Sequence, residues 1–392
     1  MKQLSTLFLA SIIASAASAQ QASISVVKVD GYALNALSIS RNGAYICGAT
    51  WDRDAFVTAR DGNPFALMPD DEQGEATGSE LRHVSDNGVA VGTNGELGVI
   101  FDIEGNRTDL TVPEGYKYFL TEDITADGSQ IVGSLTRSWD VVAATKMIDD
   151  EEWTLLPVPE DDEIFEGAYA AKYVSGDGSV ILGFAGNFGP AVLWYRQADG
   201  SYTVDPIYVE FTDLYGDGSK PYVGFDPMAI SANGKYALIY LQSTEGSFVG
   251  IYDTETKELN VIDEPQEAEM AEMGMWPTAI ADDGTVVGIY GNLMMRYGTF
   301  ILKGGQTQTT PMGEAFPEIA ETMAVYDATG FNTPVGISAD GRYIVGFGVY
   351  ADLSDPEPVA DFQTYVIDTK PDESGISAPA SADATGSVTY YT

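Results

Sequence analysis

The sequence predicts an all-β fold built from one unit that occurs seven times. Each copy has an apolar β-branched residue, a hydroxyl residue (in six of the seven copies), a spacer, Asp or Asn, and then Gly. The turn glycines are Gly43, Gly88, Gly128, Gly178, Gly234, Gly284 and Gly341. Every copy continues into a third apolar segment, and six copies add a fourth that runs towards a proline. Four short strands in about 50 residues indicate one blade of a β-propeller. We therefore predict a single seven-bladed propeller with four-stranded antiparallel blades.

The first two strands of each copy form a hairpin. The Asn-Gly or Asp-Gly step between them predicts a two-residue turn in which both residues have positive φ. The hydroxyl residue three positions before the glycine, such as Ser338, is expected to hydrogen-bond the turn backbone. The sixth copy has Ala281 at this position, and the fifth has Ile239 where the other copies have a second glycine.

The ends of the repeat region predict how the ring closes. Ala22–Val29 alternates like a strand before the first copy, whereas the seventh copy has only three strands and ends near Asp368. We predict that the N-terminal strand completes the seventh blade, which removes an open sheet edge.

Both termini differ in composition from the repeats. Met1–Ala19 has Lys2, an apolar core and small residues at Ala17–Ala19, as a secretory signal does. We predict a signal peptide at 1–19, the propeller at 20–370 and a flexible tail at 371–392. The protein is expected to be secreted, extracellular or at the cell surface, with the periplasm as an alternative.

The chain is strongly acidic. Nineteen basic residues against 59 acidic ones give a net charge of −40, so nucleic acid and anionic membranes are poor partners. We expect a monomer that does not insert into a membrane. The one cysteine, Cys47, cannot form an internal disulfide, and we interpret it as a buried, inert thiol.

The strand order sorts the connections onto two faces. If the first strand of each blade leads to the Asp-Gly turn, all tight turns lie on one face. The loops between second and third strands and the links between blades lie on the opposite face, here called the long-loop face. Its long segments are 69–81, 159–169, 207–225, 264–276 and 312–333. Loops on a rigid scaffold commonly carry binding sites.

Aromatic and charged residues predict a ligand site on the long-loop face. Trp51 and Trp139 fall in loops between second and third strands, and Asn35 is among the residues that begin the inner strands at the channel mouth. Rings can pack on sugars or side chains, and carboxylates can accept hydrogen bonds or pair with Lys and Arg. The predicted ligand-binding residues are Trp51, Arg82, Glu122, Trp139, Lys172, Asp226 and Trp276.

No catalytic set stands out. His83 is the only histidine, no nucleophile-elbow sequence accompanies it, and we interpret it as structural or surface-exposed. Acidic clusters such as Glu160–Glu163 could supply paired carboxylates for glycosidase chemistry, although solvated loop charge is the simpler interpretation. We predict no cofactor. Calcium at Asp213 and Asp217 is a weak alternative, because their spacing does not fit an EF-hand.

The repeat resembles known propeller motifs. ISADGRYIVGFG at Ile337–Gly348 and AVLWY at Ala191–Tyr195 resemble HAF-type repeats of secreted bacterial proteins. They are also similar to the TolB-type repeat, whose blades begin with a Ser-x-Asp-Gly turn. The resemblance covers Leu34–Thr369 and implies architecture rather than activity. The tail, Gly375–Thr392, resembles a truncated type IX secretion sorting segment.

Three functional hypotheses remain open. The first is a secreted, non-catalytic propeller that binds a glycan or a protein through its long-loop face. The second is an enzyme that acts on polysaccharide with paired loop carboxylates, and the third is a structural cell-surface scaffold. The lack of a recognisable catalytic set favours the first.

Overall fold

The structure is a computed structural model. It describes residues 21–68, 78–95, 97–137, 140–159, 168–186, 190–207, 224–243, 246–263, 274–291, 296–351 and 360–370. The predicted signal peptide and the predicted tail lie outside these ranges.

Seven four-stranded antiparallel sheets form the predicted propeller. Blades 1 and 2 contain β2 (Leu34–Ile39), β3 (Tyr45–Thr50), β4 (Ala55–Ala59), β5 (Phe65–Met68), β6 (Ser79–Val84), β7 (Val89–Asn94), β8 (Leu97–Asp102) and β9 (Arg107–Asp109). Blades 3 and 4 contain β10 (Tyr118–Ile124), β11 (Gln130–Arg137), β12 (Asp140–Met147), β13 (Thr154–Leu155), β14 (Tyr169–Val174), β15 (Val180–Ala185), β16 (Ala191–Arg196) and β17 (Tyr202–Pro206). Blades 5 and 6 contain β18 (Gly224–Ile230), β19 (Tyr236–Ser243), β20 (Gly246–Asp253), β21 (Leu259–Val261), β22 (Met275–Ile280), β23 (Val286–Gly291), β24 (Arg296–Leu302) and β25 (Thr310–Pro311).

Blade 7 closes the ring as predicted. It consists of β26 (Thr333–Ile337), β27 (Tyr343–Tyr350), β28 (Asp361–Asp368) and the N-terminal strand β1 (Ser23–Val27). β1 pairs along β28 from Ser23 opposite Asp368 to Val27 opposite Thr364. One sheet therefore joins the two ends of the described chain, and the outer edge of β28 is covered.

The hairpin turns differ from the prediction in their geometry. Each turn glycine has positive φ, for example 71° at Gly43 and 70° at Gly341, but the preceding Asn or Asp does not. The Gly43 N–H donates to the backbone oxygen of Ser40 at 2.8 Å, so residues 40–43 form a β-turn with glycine as its fourth residue. The hairpin loop is therefore longer than two residues. The predicted two-residue turn with two positive φ angles is therefore wrong. The buried hydroxyl provides the reason, because the Ser40 Oγ accepts the Tyr45 N–H at 3.0 Å and stabilises the longer loop.

Every inner strand carries a β-bulge whose extra residue lies two positions before the last residue of the strand. In blade 2 the register shifts between Leu81 and His83, so Arg82 is the extra residue. Leu81 pairs with Gly92, where an added Cβ would lie only 1.9 Å from the Glu80 backbone oxygen. The recurrent second glycine therefore admits the bulge by bringing the two backbones close together. Blade 5 has the same bulge although Ile239, and not a glycine, pairs with Pro227.

Apolar side chains fill the spaces between adjacent blades. Trp194 is fully buried in the cluster between blades 3 and 4, where its Nε1 donates to the backbone oxygen of Pro157 at 2.7 Å. Cys47 is also fully buried, as predicted, and burial raises the pKa of its thiol. The core is therefore distributed around the ring.

The link between blades 6 and 7 is helical, which the sequence analysis did not anticipate. α1 (Met312–Ala315), a 3₁₀ turn (Pro317–Ile319) and α2 (Ala320–Ala328) follow one another. Their buried residues Met312, Phe316, Ile319, Met323 and Tyr326 recur every three or four positions and pack on blades 6 and 7. Among the described residues, neither helix is long and apolar enough to span a bilayer.

Candidate binding site at the open end of the channel

The spacer residue of each tight turn helps close one end of the central channel. In blades 2 to 4, the N–H groups of Asp86, Ala126 and Gly176 donate to the spacer carbonyl of the next blade at 2.7–2.9 Å. The bonds from Asp282 to Ala339 and from Ala339 to Arg41 continue the ring. In the two remaining links, the carboxylates of Asp86 and Asp282 accept the N–H groups of Asn42 and Asn233 at 2.8 Å. Each blade is thus bonded to the next at the tight-turn face.

Arg41 crosses the channel directly inside this ring. Its guanidinium donates to the backbone oxygens of Ile124 and Val174, each at 2.7 Å, and to Asp123 at 3.1 Å. The Asp123 carboxylate is almost fully buried and also accepts the Val174 N–H at 2.9 Å. These contacts connect blades 1, 3 and 4. Together with the ring, they leave the opposite, long-loop end as the approach to the channel.

A small cavity of about 80 Å³ lies next to Arg41. Its wall on blades 2 to 4 is polar, with His83, Asp123 and Tyr173, whereas the wall on blades 5 to 7 is apolar, with residues such as Ile230 and Ile280. The two rings are perpendicular, with the centroids of His83 and Tyr173 separated by 5.9 Å. Burial, followed by the nearby Glu122 carboxylate, raises the pKa of Tyr173 and keeps its hydroxyl protonated.

His83 is held by the backbone, in agreement with its structural interpretation. Its Nδ1 lies 2.7 Å from the Glu122 carbonyl oxygen. Because a carbonyl can only accept, Nδ1 carries a proton in this contact.

Three predicted site residues contact one another across the inner strands of blades 2 to 4, and we call this group the channel mouth. The bulges of blades 2, 3 and 4 place Arg82, Glu122 and Lys172 at equivalent positions. Glu122 accepts from Arg82 at 2.8 Å and from Lys172 at 2.5 Å. Arg82 also pairs with Glu80 at 2.9 Å. The carboxylate of Glu122 is largely buried, whereas about a third of each cationic side chain is exposed, at 34% and 30%.

Two further predicted residues lie on the next blades around the mouth. Asp226 is the third residue of the inner strand of blade 5 and is exposed. It pairs in register with Tyr240, whose ring centroid is 5.0 Å from that of Trp276 in blade 6. Partial desolvation raises the pKa of Asp226. We call Asp226, Tyr240 and Trp276 the blade 5/6 recess.

Trp51 forms a separate aromatic cluster. It is 61% exposed in the loop between β3 and β4, and its ring lies 4.1 Å from that of Phe362 in blade 7. Phe362 in turn stacks on Phe347 at 6.2 Å. No ring contact or hydrogen bond in the described part of the chain connects Trp51 with the channel mouth.

Other predicted features lie outside the described ranges. These are Trp139, Asp213, Asp217, Glu160–Glu163 and most of four of the five long loop segments. Within the described ranges, no three His, Cys, Asp or Glu side chains are grouped so that they could hold a metal ion.

Sequence reasoning missed several residues that shape the site. Arg41 and Asp123 close the channel, and Tyr240 completes the blade 5/6 recess. Arg41 had a visible signal, since it is the only basic residue among the seven turn spacers. Tyr240 becomes apparent only from its register with Asp226.

Comparison with known proteins supports the fold. No protein-family model matches the chain, and no curated protein matches its sequence significantly. Among solved structures, an oligogalacturonate lyase in complex with manganese is 10% identical over 88% of this chain and 93% of its own, with a TM-score of 0.52. The Cps50 (Swd1) propeller from Myceliophteria thermophila is 11% identical over 88% and 98%, with a TM-score of 0.50.

TolB from Acinetobacter baumannii is a weaker structural match. It is 12% identical, with a TM-score of 0.43, over 69% of this chain and 66% of TolB, slightly under two thirds of TolB's length. At 10% and 11% identity, the likeness to the lyase and to the Cps50 propeller shows the propeller fold alone.

Proposed function

We propose that the chain is a secreted, non-catalytic propeller that binds a glycan or a protein ligand at its long-loop face, with the channel mouth at the centre of the site. The observation that carries this proposal is the asymmetry of the channel. One end is closed by the blade-to-blade ring and Arg41, and the strand order puts Arg82, Glu122, Lys172 and the blade 5/6 recess on the long-loop side of this closure.

The groups at the mouth suit recognition. Arg82 and Lys172 are donors held in place by Glu122, and Trp276 supplies an aromatic ring. A pocket with a few fixed polar groups beside aromatic surface is typical of binding sites on rigid scaffolds.

The alternative of a polysaccharide enzyme requires a carboxyl that can donate a proton near neutral pH. Arg82 and Lys172 both pair with Glu122, and Asp123 accepts hydrogen bonds from Arg41 and the Val174 N–H. Both carboxylates are thus occupied in holding neighbouring groups in place, which favours binding over proton-transfer chemistry at these two residues.

A binding screen tests the proposal. The mature chain is applied to glycan and surface-protein arrays, and turnover of polysaccharides is followed in parallel. A bound ligand should lose at least tenfold in affinity in Lys172→Ala. Lys235→Ala is the matched control, because Lys235 is similarly exposed and pairs with Asp253 near the tight turns of blade 5. Equal effects of the two substitutions, or product formation, would contradict the proposal.

A further inference from the structure

We propose that the blade 5/6 recess receives a basic side chain, lysine or arginine, from a protein partner. This inference rests on the proposed function and narrows its ligand to a protein with a basic contact residue.

The first step is the charge arrangement around the mouth. On blades 2 to 4, Glu80, Arg82, Glu122 and Lys172 neutralise one another through direct ion pairs. Asp226 follows on blade 5, and no hydrogen bond or ion pair connects it to another side chain in the described part of the chain. The mouth thus presents one exposed acidic group beside a set of matched charges.

The second step is the aromatic surroundings of that carboxylate. Asp226 and Tyr240 are directly opposite on adjacent strands, so both side chains project from the same face of the sheet. The Tyr240 ring meets Trp276 at 5.0 Å with 46° between the ring planes. A cation beside a carboxylate and over the faces of Tyr and Trp gains both ion pairing and cation–π attraction.

The third step is the solvation of Asp226. Its pKa is raised because the surrounding protein partly desolvates the carboxylate without a compensating cation. A cationic side chain placed in the recess would reverse this effect by stabilising the ionised form.

The fourth step is the field of the whole chain. A net charge of −40 attracts basic partners and repels anionic glycans over distances longer than a contact. A neutral glycan could stack on Trp276 and donate hydroxyl hydrogen bonds to Asp226, but it would gain nothing from the long-range field.

The test uses two synthetic peptides, one with four lysines and one in which these are replaced by glutamine, titrated against the mature chain by calorimetry at physiological salt. We expect binding of the lysine peptide to weaken about tenfold in Asp226→Asn and in Trp276→Ala. Asp226→Glu keeps the charge, and its affinity for the lysine peptide should stay within about threefold of that of the unmodified chain.

Glu151→Gln is the matched control, because it removes one acidic charge from an exposed position between β12 and β13. It should change the affinity less than twofold. If Asp226→Asn and Glu151→Gln weaken binding equally, the peptide senses only the overall field and the inference is overturned. Identical thermal melts of the Asn and Gln variants would exclude misfolding as the cause.

The failures of the two proposals can be distinguished. A glycan ligand that depends on Lys172 but binds Asp226→Asn normally would contradict the proposal that the recess receives a basic side chain. It would leave the proposed function intact. A protein ligand insensitive to both Lys172→Ala and Asp226→Asn would overturn both.

Discussion

Gly92→Ala directly tests how the inner-strand bulge forms and, with it, how Arg82 reaches the channel. A Cβ at position 92 would lie 1.9 Å from the Glu80 backbone oxygen and 2.7 Å from the Leu81 Cα. Carbon contacts are comfortable at about 3.5 Å, so β6 and β7 would have to separate by more than 1 Å. Neither obstructing atom is at the end of a flexible side chain. We therefore expect a loss of about 1–3 kcal/mol in the free energy of unfolding.

The assay is urea unfolding followed by tryptophan fluorescence, with ligand affinity as a second readout because Arg82 moves with the bulge. Gly298→Ala is the matched control. It also lies in an inner part of a strand, but its added Cβ would have the nearest atom, Asp327 Oδ2, at 3.7 Å. Its stability should be unchanged or higher by up to about 1 kcal/mol. If Gly92→Ala unfolded at the same urea concentration as the unmodified chain, the steric account of the second glycine would be refuted.

Three other predictions concern charge, pH and closure. Glu122→Gln leaves Arg82 and Lys172 without their shared anion and should lower the free energy of unfolding by about 1–3 kcal/mol. The loss is smaller than for a fully buried pair because both cations are partly exposed. Glu122→Asp keeps the charge, and urea unfolding should show a smaller loss for it. Burial raises the pKa of Asp327 from 3.8 to about 6, so its contribution to stability is complete below pH 3.8 and lost as the pH rises through 6. The stability of the unmodified chain relative to Asp327→Asn should therefore fall by up to about 3 kcal/mol between pH 4 and pH 8, and a constant difference would contradict this pKa. Removal of residues 20–30 deletes β1 and exposes the edge of β28; size-exclusion chromatography should show association, and a stable monomer would count against closure by β1.

The blades and their closure were predictable because their signals are local and repeated. Turn glycines, β-branched flanks and the unmatched strand Ala22–Val29 determine strand count and ring closure without reference to long-range contacts. The turn geometry was mispredicted because the Ser40 hydroxyl competes for backbone N–H groups, and such competition is not visible in an Asn-Gly pair alone. The helical link could have been predicted, since the buried residues from Met312 to Tyr326 have helical spacing.

The candidate site was predictable only in part. Arg82, Glu122 and Lys172 contact one another, but they lie two positions before the ends of β6, β10 and β14 rather than at the strand starts, and their pairing depends on the bulge that each strand shares. The closed end of the channel depends on backbone hydrogen bonds between spacer residues as different as Ala126 and Gly176, and no side-chain pattern reports such bonds.

The most direct measurement for the central claim is amide hydrogen exchange of the protein with and without a ligand from the binding screen. Binding at the long-loop face should slow exchange at the starts of the inner strands β6, β10, β14, β18 and β22. Exchange in the tight turns around Gly43 and Gly234 should remain unchanged. Protection confined to those turns, with none at the channel mouth, would contradict the assignment of the binding face.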